Sequence, residues 1–256
     1  GNNIFVYYLF RTVATVDHPS TSSLQATDGT FTGDLTVDTS TLKVDSTNNR
    51  VGIGTTSPSS TLTVNGATAF STLELASTSG SATSAFMGVT TDSDLAVKVN
   101  GSERMRIDAN GHVTMQSQPA FLVTPANNQL NLANHTVFIM DNEIFDQNSD
   151  FDTSNYTFTA PVTGRYQLQF VGRFNNIDKA GNWVRVELVT SNRYYQGTLI
   201  DPGVFGFDPE YWSTFTIAVL ADMDAGDTAF LQWGQSGGAA QADLDTDAQF
   251  SGFLVC

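Results

Sequence analysis

"YTFTAPVTGRYQLQFVGRF", residues 156 to 174, decides the fold. An extended run leads to a turn marked by Pro161 and Gly164. A strand follows in which apolar and polar side chains alternate. Proline cannot donate to a strand ladder, and a period of two places alternate residues on opposite faces of a sheet. The same grammar recurs across residues 119–256: "AFLVT" (120–124), "TVFIM" (136–140), "NWVRVELVT" (182–190), "WSTFTIAVLA" (212–221), "TAFLQWG" (228–234) and "FSGFLV" (250–255). No long helical pattern separates these runs, so the sheets are expected to be antiparallel and to pack as a sandwich or jelly roll.

Working outward, the composition changes near "MQSQPAF", with Pro119 as punctuation. Residues 1–118 hold 16 Ser and 21 Thr but only 7 of the 28 aromatic residues. The formal charge is -4 before the break (6 Lys+Arg, 10 Asp+Glu) and -11 after it (5 and 16), which sums to the -15 of the chain. Phosphate binding needs clustered cations, so nucleic acid is not an expected partner. The longest apolar run, "IFVYYLF" (4–10), is far short of the roughly 20 residues of a membrane-spanning helix, and no basic segment precedes it as in a leader peptide. No membrane insertion is expected. The single cysteine, Cys256, gives no disulfide framework within the chain. A start at Gly1 rather than Met suggests a fragment or a trimmed product.

Before the break, one weak sentence is written twice. "KVDSTNNRVGI" (43–53) lines up with "KVNGSERMRI" (98–107). Each reads as strand, polar turn, arginine (Arg50 or Arg104), strand. "DLTVDT" (34–39) and "TLTVNG" (61–66) echo the first half, and Asn65-Gly66, Asn100-Gly101 and Asn110-Gly111 suit turns that need positive φ. Each unit carries about four apolar side chains on one face. That is too little to offset about 1–2 kcal/mol of backbone entropy per residue over roughly 15 residues. Such hairpins need stacking or association to bury a core, and three identical chains, each supplying one wall, would provide it.

"DLTVDTSTLKVDSTNNRVGIGTTSPSSTLTVNG" resembles the shaft repeats of bacteriophage tail fibres, especially those of marine and cyanobacterial hosts. "GSERMRIDANGHV" and "YYLFRTVATVDHP…LQATDGTFTGDL" resemble other segments of such fibres. In the second half, "AF" (120–121), "FTAPVTGRY" (158–166), "LADMDAGDTAFL" (220–231) and "FSGFL" (250–254) resemble, in order and spacing, the globular head of the complement-one-q family, which shares its jelly roll with tumour necrosis factor. The two resemblances imply an all-β, homotrimeric fibre. Residues 1–33 would be a strand segment for virion attachment or the end of an upstream domain. Residues 34–118 would be the shaft of β-hairpin repeats, and 119–256 an antiparallel jelly-roll head with both termini at its base. The implied function is attachment of a bacteriophage to its bacterial host. The N-terminus would contact other virion tail or adaptor proteins, the tip a host-surface glycan or protein receptor, and the protein would reside in the virion tail fibre. A structural capsid or neck fibre, or a bacterial surface adhesin, is the alternative, with a glycan depolymerase behind both.

No catalytic set is visible. His18, His112 and His135 lie far apart, and Cys256 has no histidine nearby in sequence. The aromatic run "NRYYQGTLIDPGVFGFDPEYW" (192–212) is expected to form a loop and, with the preceding strand, to bind the receptor through Trp183, Arg185, Arg193, Tyr194, Tyr195, Phe205, Phe207, Tyr211 and Trp212. Trp183 and Arg185 alternate with Val184 and Val186, so one pair faces outward or toward a neighbouring subunit. Asp243, Asp245 and Asp247 lie two apart and share a face if the segment is extended. Three carboxylates so placed would repel without a cation, and calcium, which takes oxygen ligands, is the candidate. A solvated acidic loop is the plainer reading of the same residues.

Overall fold

A computed structural model describes residues 32–38, 41–65, 71–75, 85–90, 92–205 and 211–256. The chain divides into two compact units, residues 1–73 and 74–256; composition places a break at 118/119, and the resemblances imply another at 33/34. Up to residue 31, the proposed N-terminal attachment segment lies outside the described residues.

In the first unit, β1 (Leu35–Val37), β2 (Leu42–Asp45), β3 (Arg50–Ile53) and β4 (Leu62–Val64) form one sheet in sequence order. The β2–β3 hairpin is the predicted one, turned with Asn49 at φ 54°. Its arginine donates from Nη1 to the Pro58 carbonyl at 2.9 Å, holding the chain that leads into β4. β4 runs parallel to β3, which the sequence did not show. Register builds two apolar rows on one face: Leu35–Val44–Val51–Leu62 and Val37–Leu42–Ile53–Val64. The other face carries Thr36, Lys43, Gly52 and Thr63.

A second small sheet repeats the plan with β5 (Ser71–Leu75), β6 (Ala85–Val89), β7 (Leu95–Val99), β8 (Ser102–Ile107) and β9 (Val113–Thr114). Asn100 (φ 53°) and Gly101 (φ 74°) make the β7–β8 turn, as the Asn-Gly pair predicts. Again the rows are apolar on one face, Val89–Leu95–Ile107–Val113 and Met87–Val97–Met105. On the other face Arg106 bridges Asp94 and Glu103 at 2.6 Å each. Among the described residues before 119, leaving out 71–75 and 86, the buried apolar side chains are Pro58 and Ala96. These sheets therefore close no core of their own.

The core belongs to residues 120–255. One sheet orders β11 (Gln129–Leu132), β20 (Ala242–Leu244), β15 (Gly164–Asn175), β21 (Gln249–Leu254), β10 (Ala120–Thr124) and β12 (Asn142–Asp146), with β18 (Ser213–Met223) along the other side of β15. The second orders β13 (Phe151–Asp152), β14 (Thr157–Thr159), β19 (Thr228–Gly237), β16 (Gly181–Thr190) and β17 (Tyr194–Ile200). All pairings in both are antiparallel. The stretch quoted first supplies β14 and β15. Along β15, Tyr166, Leu168, Phe170 and Phe174 point inward and are buried. Gly172 stands between the last two because a Cβ there would lie 2.3 Å from the Phe170 ring. Phe174 stacks on Trp233 at 4.8 Å and meets Phe215 edge-on at 5.2 Å, while Phe121 stacks on Phe158 at 4.9 Å. The Tyr166 hydroxyl, drawn into this core, donates to the Val162 carbonyl at 2.7 Å.

Two readings need correction. "TVFIM" is not a strand: Val137 makes one isolated bridge to Gln232, although Phe138 and Met140 are buried. The segment fills the core from a loop beside β19. "YYQGTLI", expected as loop, is strand β17, paired with β16 through a bulge between Arg185 and Glu187. A single helical turn, Pro202–Phe205, follows it, with Asp201 Oδ1 accepting from the Gly203 and Val204 amides at 3.0 and 3.3 Å.

Chain entry and exit share one end of the sandwich. The Leu254 amide donates to the Pro119 carbonyl at 3.0 Å, and the Arg165 amide to the Cys256 carbonyl at 2.8 Å. Residues 115–118 are tied to that end by Gln147 Nε2 to the Met115 carbonyl (2.8 Å) and Asn148 Nδ2 to the Ser117 carbonyl (3.1 Å).

Candidate functional site

The sequence candidates do not form one surface. Alternation in β16 buries Val184 and Val186 and turns Trp183 and Arg185 to the outer face, as predicted. Register sets Tyr194 on the same face and Tyr195 on the other, where it packs against the core. The Arg185 guanidinium lies 4.3 Å from the Trp183 ring centroid and 5.4 Å from that of Tyr194. Its Nη2 donates to the Tyr194 hydroxyl, and its Nε to Glu187 Oε1 at 2.7 Å.

Glu187 was not singled out from the sequence, yet it anchors this arrangement. Its side chain is 0% exposed although it sits on the solvent face of the sheet. Gln232 Nε2 donates to Oε2 at 2.6 Å, and His135 Nδ1 lies 3.6 Å away. Gly234 makes the room: a Cβ there would fall 2.3 Å from Oε1. Burial pushes the Glu187 carboxyl up, but hydrogen bonds from Tyr194, Gln232 and Arg185 together hold it below the ordinary value. Burial, and then the bond to Glu187, pushes the Tyr194 phenol up to about 12. A glutamate in a strand otherwise free of acids, opposite a glutamine and diagonal to a glycine, was the available clue. It becomes readable only with the register.

Arg193 lies elsewhere, at the end where the chain enters. It makes a two-pronged, exposed pair with Asp222, both bonds at 2.8 Å. Trp212 and Tyr211 lie toward the opposite end. Trp212 is covered by the Arg173 guanidinium at 4.4 Å, and Tyr211 is 68% exposed. Phe205 closes the single helical turn, and Phe207 lies outside the described residues.

The three aspartates of the calcium reading share that far end, but β20 stops at Leu244 and the extended premise fails. Asp243 Oδ1 instead accepts from the Asn131 amide at 2.8 Å. Asp245 and Asp247 take the Arg173 guanidinium at 2.9 and 3.1 Å, so an arginine supplies the cation that was assigned to a metal. Within one chain the trio does not fit calcium, and no cluster of three or more metal-ligating side chains occurs among the described residues. The acids of residues 141–152 serve loops: Asp141 accepts from the Ala126 amide, Asp146 from Phe151, and Asp152 from Ser154.

Behind this face, the outer side of the other sheet is open, and between Arg165–Asp222 at one end and Arg173 at the other its middle rows are uncharged. Leu220, Gln167 and Phe253 line up in one row, and Ala218, Gln169, Ser251 and Leu122 in the next. Leu220 and Phe253 are 55% and 50% exposed.

The family model described as C1q domain matches residues 120–255, just over half of the chain. Among solved structures, the globular domain of zebrafish complement 1qA protein is 16% identical, with a TM-score of 0.42, covering 55% of this chain and 98% of that one. Murine APRIL at pH 8.0 is 9% identical, with a TM-score of 0.39, covering 54% of this chain and all of the other. No curated protein matches the sequence.

Proposed function

The chain belongs to the C1q domain family, matched over residues 120–255, and on that premise we propose that it is a homotrimeric fibre whose head binds a surface receptor. Domains of this kind are typically non-enzymatic binding modules. The observation that carries the reading is the unpartnered apolar face, met in both hairpin sheets and, in milder form, on the head. Val37, Ile53 and Leu62 stand 45%, 45% and 60% exposed in rows with no charge among them. Covering a half-exposed Val or Leu stabilises by about 1 kcal/mol. Three copies that cover one another's faces gain this at every row.

The trimer would use the uncharged middle rows of that sheet of the head and leave the Trp183–Arg185–Tyr194 face outward. Three outward faces per fibre turn weak single contacts into firm attachment. The resemblance of residues 34–115 to tail-fibre shafts supports a place in the tail fibre of a bacteriophage, with a host-surface receptor as target. Light scattering on the purified protein tests the assembly: about three chains per particle is expected, and a folded monomer overturns it. Attachment is tested by host cells, which should bind the full chain and not one truncated before residue 119. Equal binding by both overturns the receptor role of the head.

A further inference from the structure

The outer face of β16, β17 and β19 carries more than exposed aromatics. It buries a carboxylate where solvent was available. Sheet faces rarely do so, because removing a charge from water is costly unless it is fully paired. Here Gly234, Gln232 and Tyr194 all serve that burial. The product is a fixed guanidinium between two rings. Of its five N–H donors, Nε and one on Nη2 are used, and Nη1 has no acceptor among the described residues. Arg185 keeps 15% of its side chain exposed and Tyr194 is 41% exposed. Amide and hydroxyl groups stand beside it, with Gln196 opposite Glu187 and Ser236 opposite Trp183, and one aliphatic neighbour, Leu199, lies opposite Arg185.

We propose that this face is a binding site for a neutral saccharide, held by stacking on Tyr194 and Trp183 and by hydrogen bonds from Arg185 and Gln196 to its hydroxyls. The inference rests on the reading of this face as the receptor surface, and it names the ligand class. A pyranose offers an apolar ring face and a rim of hydroxyl groups. The site offers flat aromatic area and unpaired polar groups beside it. Charge selects against an acidic sugar. Glu187 already balances Arg185, and the chain carries a net -15. A second anion would meet a neutralised pair inside a negative field. A protein interface is depleted of charge at its centre, whereas the Arg185–Glu187 ion pair occupies the centre of this face. Glu187 is a positioning residue: it orients Arg185 and cancels its charge without touching the ligand.

Saturation-transfer NMR on the full chain tests this, with methyl glucoside, methyl galactoside, methyl mannoside, N-acetylglucosamine and glucuronate as probes. At least one neutral probe should bind, weakly (roughly millimolar) as single sugars do, and glucuronate should not. Trp183→Ala or Tyr194→Ala should weaken binding about tenfold or more, and Trp212→Ala should leave it unchanged. Glu187→Gln keeps the shape and removes the counter-charge, so preference should move toward glucuronate. A purely structural Glu187 would not produce that reversal. The proposal is overturned if no probe binds, if the unaltered protein prefers glucuronate, or if variants at 183 and 194 with native circular dichroism bind as before. A trimer that attaches to cells yet binds no sugar overturns this proposal alone. A monomer that binds sugar overturns the fibre alone.

Discussion

At the scale of the residue, Glu187 and Gly234 form one unit. A methyl group at 234 cannot coexist with Oε1 at 2.3 Å. Gly234→Ala should therefore expel Glu187 or shift β19, destabilising the head by about 1–3 kcal/mol, readable as a lower thermal midpoint. The double variant Gly234→Ala with Glu187→Ala should recover much of that loss. The two tyrosine and glutamate shifts set pH limits of opposite sense. The Glu187 carboxyl is held below its ordinary 4.5, so its contribution is complete above that value and is lost as pH falls through the folded pKa. The Tyr194 phenol is raised from 10.0 to about 12, so its contribution is complete below pH 10 and is lost as pH rises toward 12. Tyr166 and Tyr195 are raised by burial too and act in the same direction. Tyr194→Phe should soften the alkaline limb of a denaturant-midpoint profile, and an unchanged limb would show that Tyr194 is not held as described.

At the scale of the element, β15 and β19 carry the core. Phe174 touches Trp233, Phe215, Phe138 and Phe170. Phe174→Ala should cost about 3–5 kcal/mol, against less than about 0.5 kcal/mol for Gln167→Ala on the open face. Urea midpoints separate the two. β15 was legible because its period of two is unbroken and its turn is marked by Pro161. β17 was not: Tyr194 and Tyr195 both look like surface aromatics, and only pairing with β16 sends one outward and the other to the core. "TVFIM" failed for the reverse reason. Phe138 and Met140 are buried, but the edge of β19 offers the segment a single bridge. The Asp243–Asp247 reading failed on one unknown, the end of β20 at Leu244, which turns the next two aspartates toward Arg173. The Trp183–Arg185 half of the candidate site followed from alternation alone. Its other half, Glu187, Gln232 and Gly234, depends on cross-strand register that no single strand displays.

At the scale of the whole molecule, the argument concerns what a single chain leaves open. Before residue 119 the described residues, leaving out 71–75 and 86, bury two apolar side chains, Pro58 and Ala96, while the sheets carry long apolar rows. Ordering that backbone costs about 1–2 kcal/mol per residue, and no intrachain core repays it. In the proposed fibre association is therefore part of folding, and one charge in a row should undo it. Leu95→Asp in the second sheet or Phe253→Asp on the head should lower the particle mass measured by light scattering from about three chains toward one. Leu130→Asp is the control, since Leu130 is 63% exposed but lies on neither row. The two faces also predict an order of loss. The head keeps its own aromatic core, so Phe253→Asp should separate the heads while they stay folded, with near-ultraviolet circular dichroism intact. Leu95→Asp should instead abolish protection of the β7–β8 amides from hydrogen exchange, because in the proposed fibre that sheet packs only against its copies. Protection that survives in a dissociated variant would show that the hairpin sheets are stable alone, and the need for three chains would fall with it.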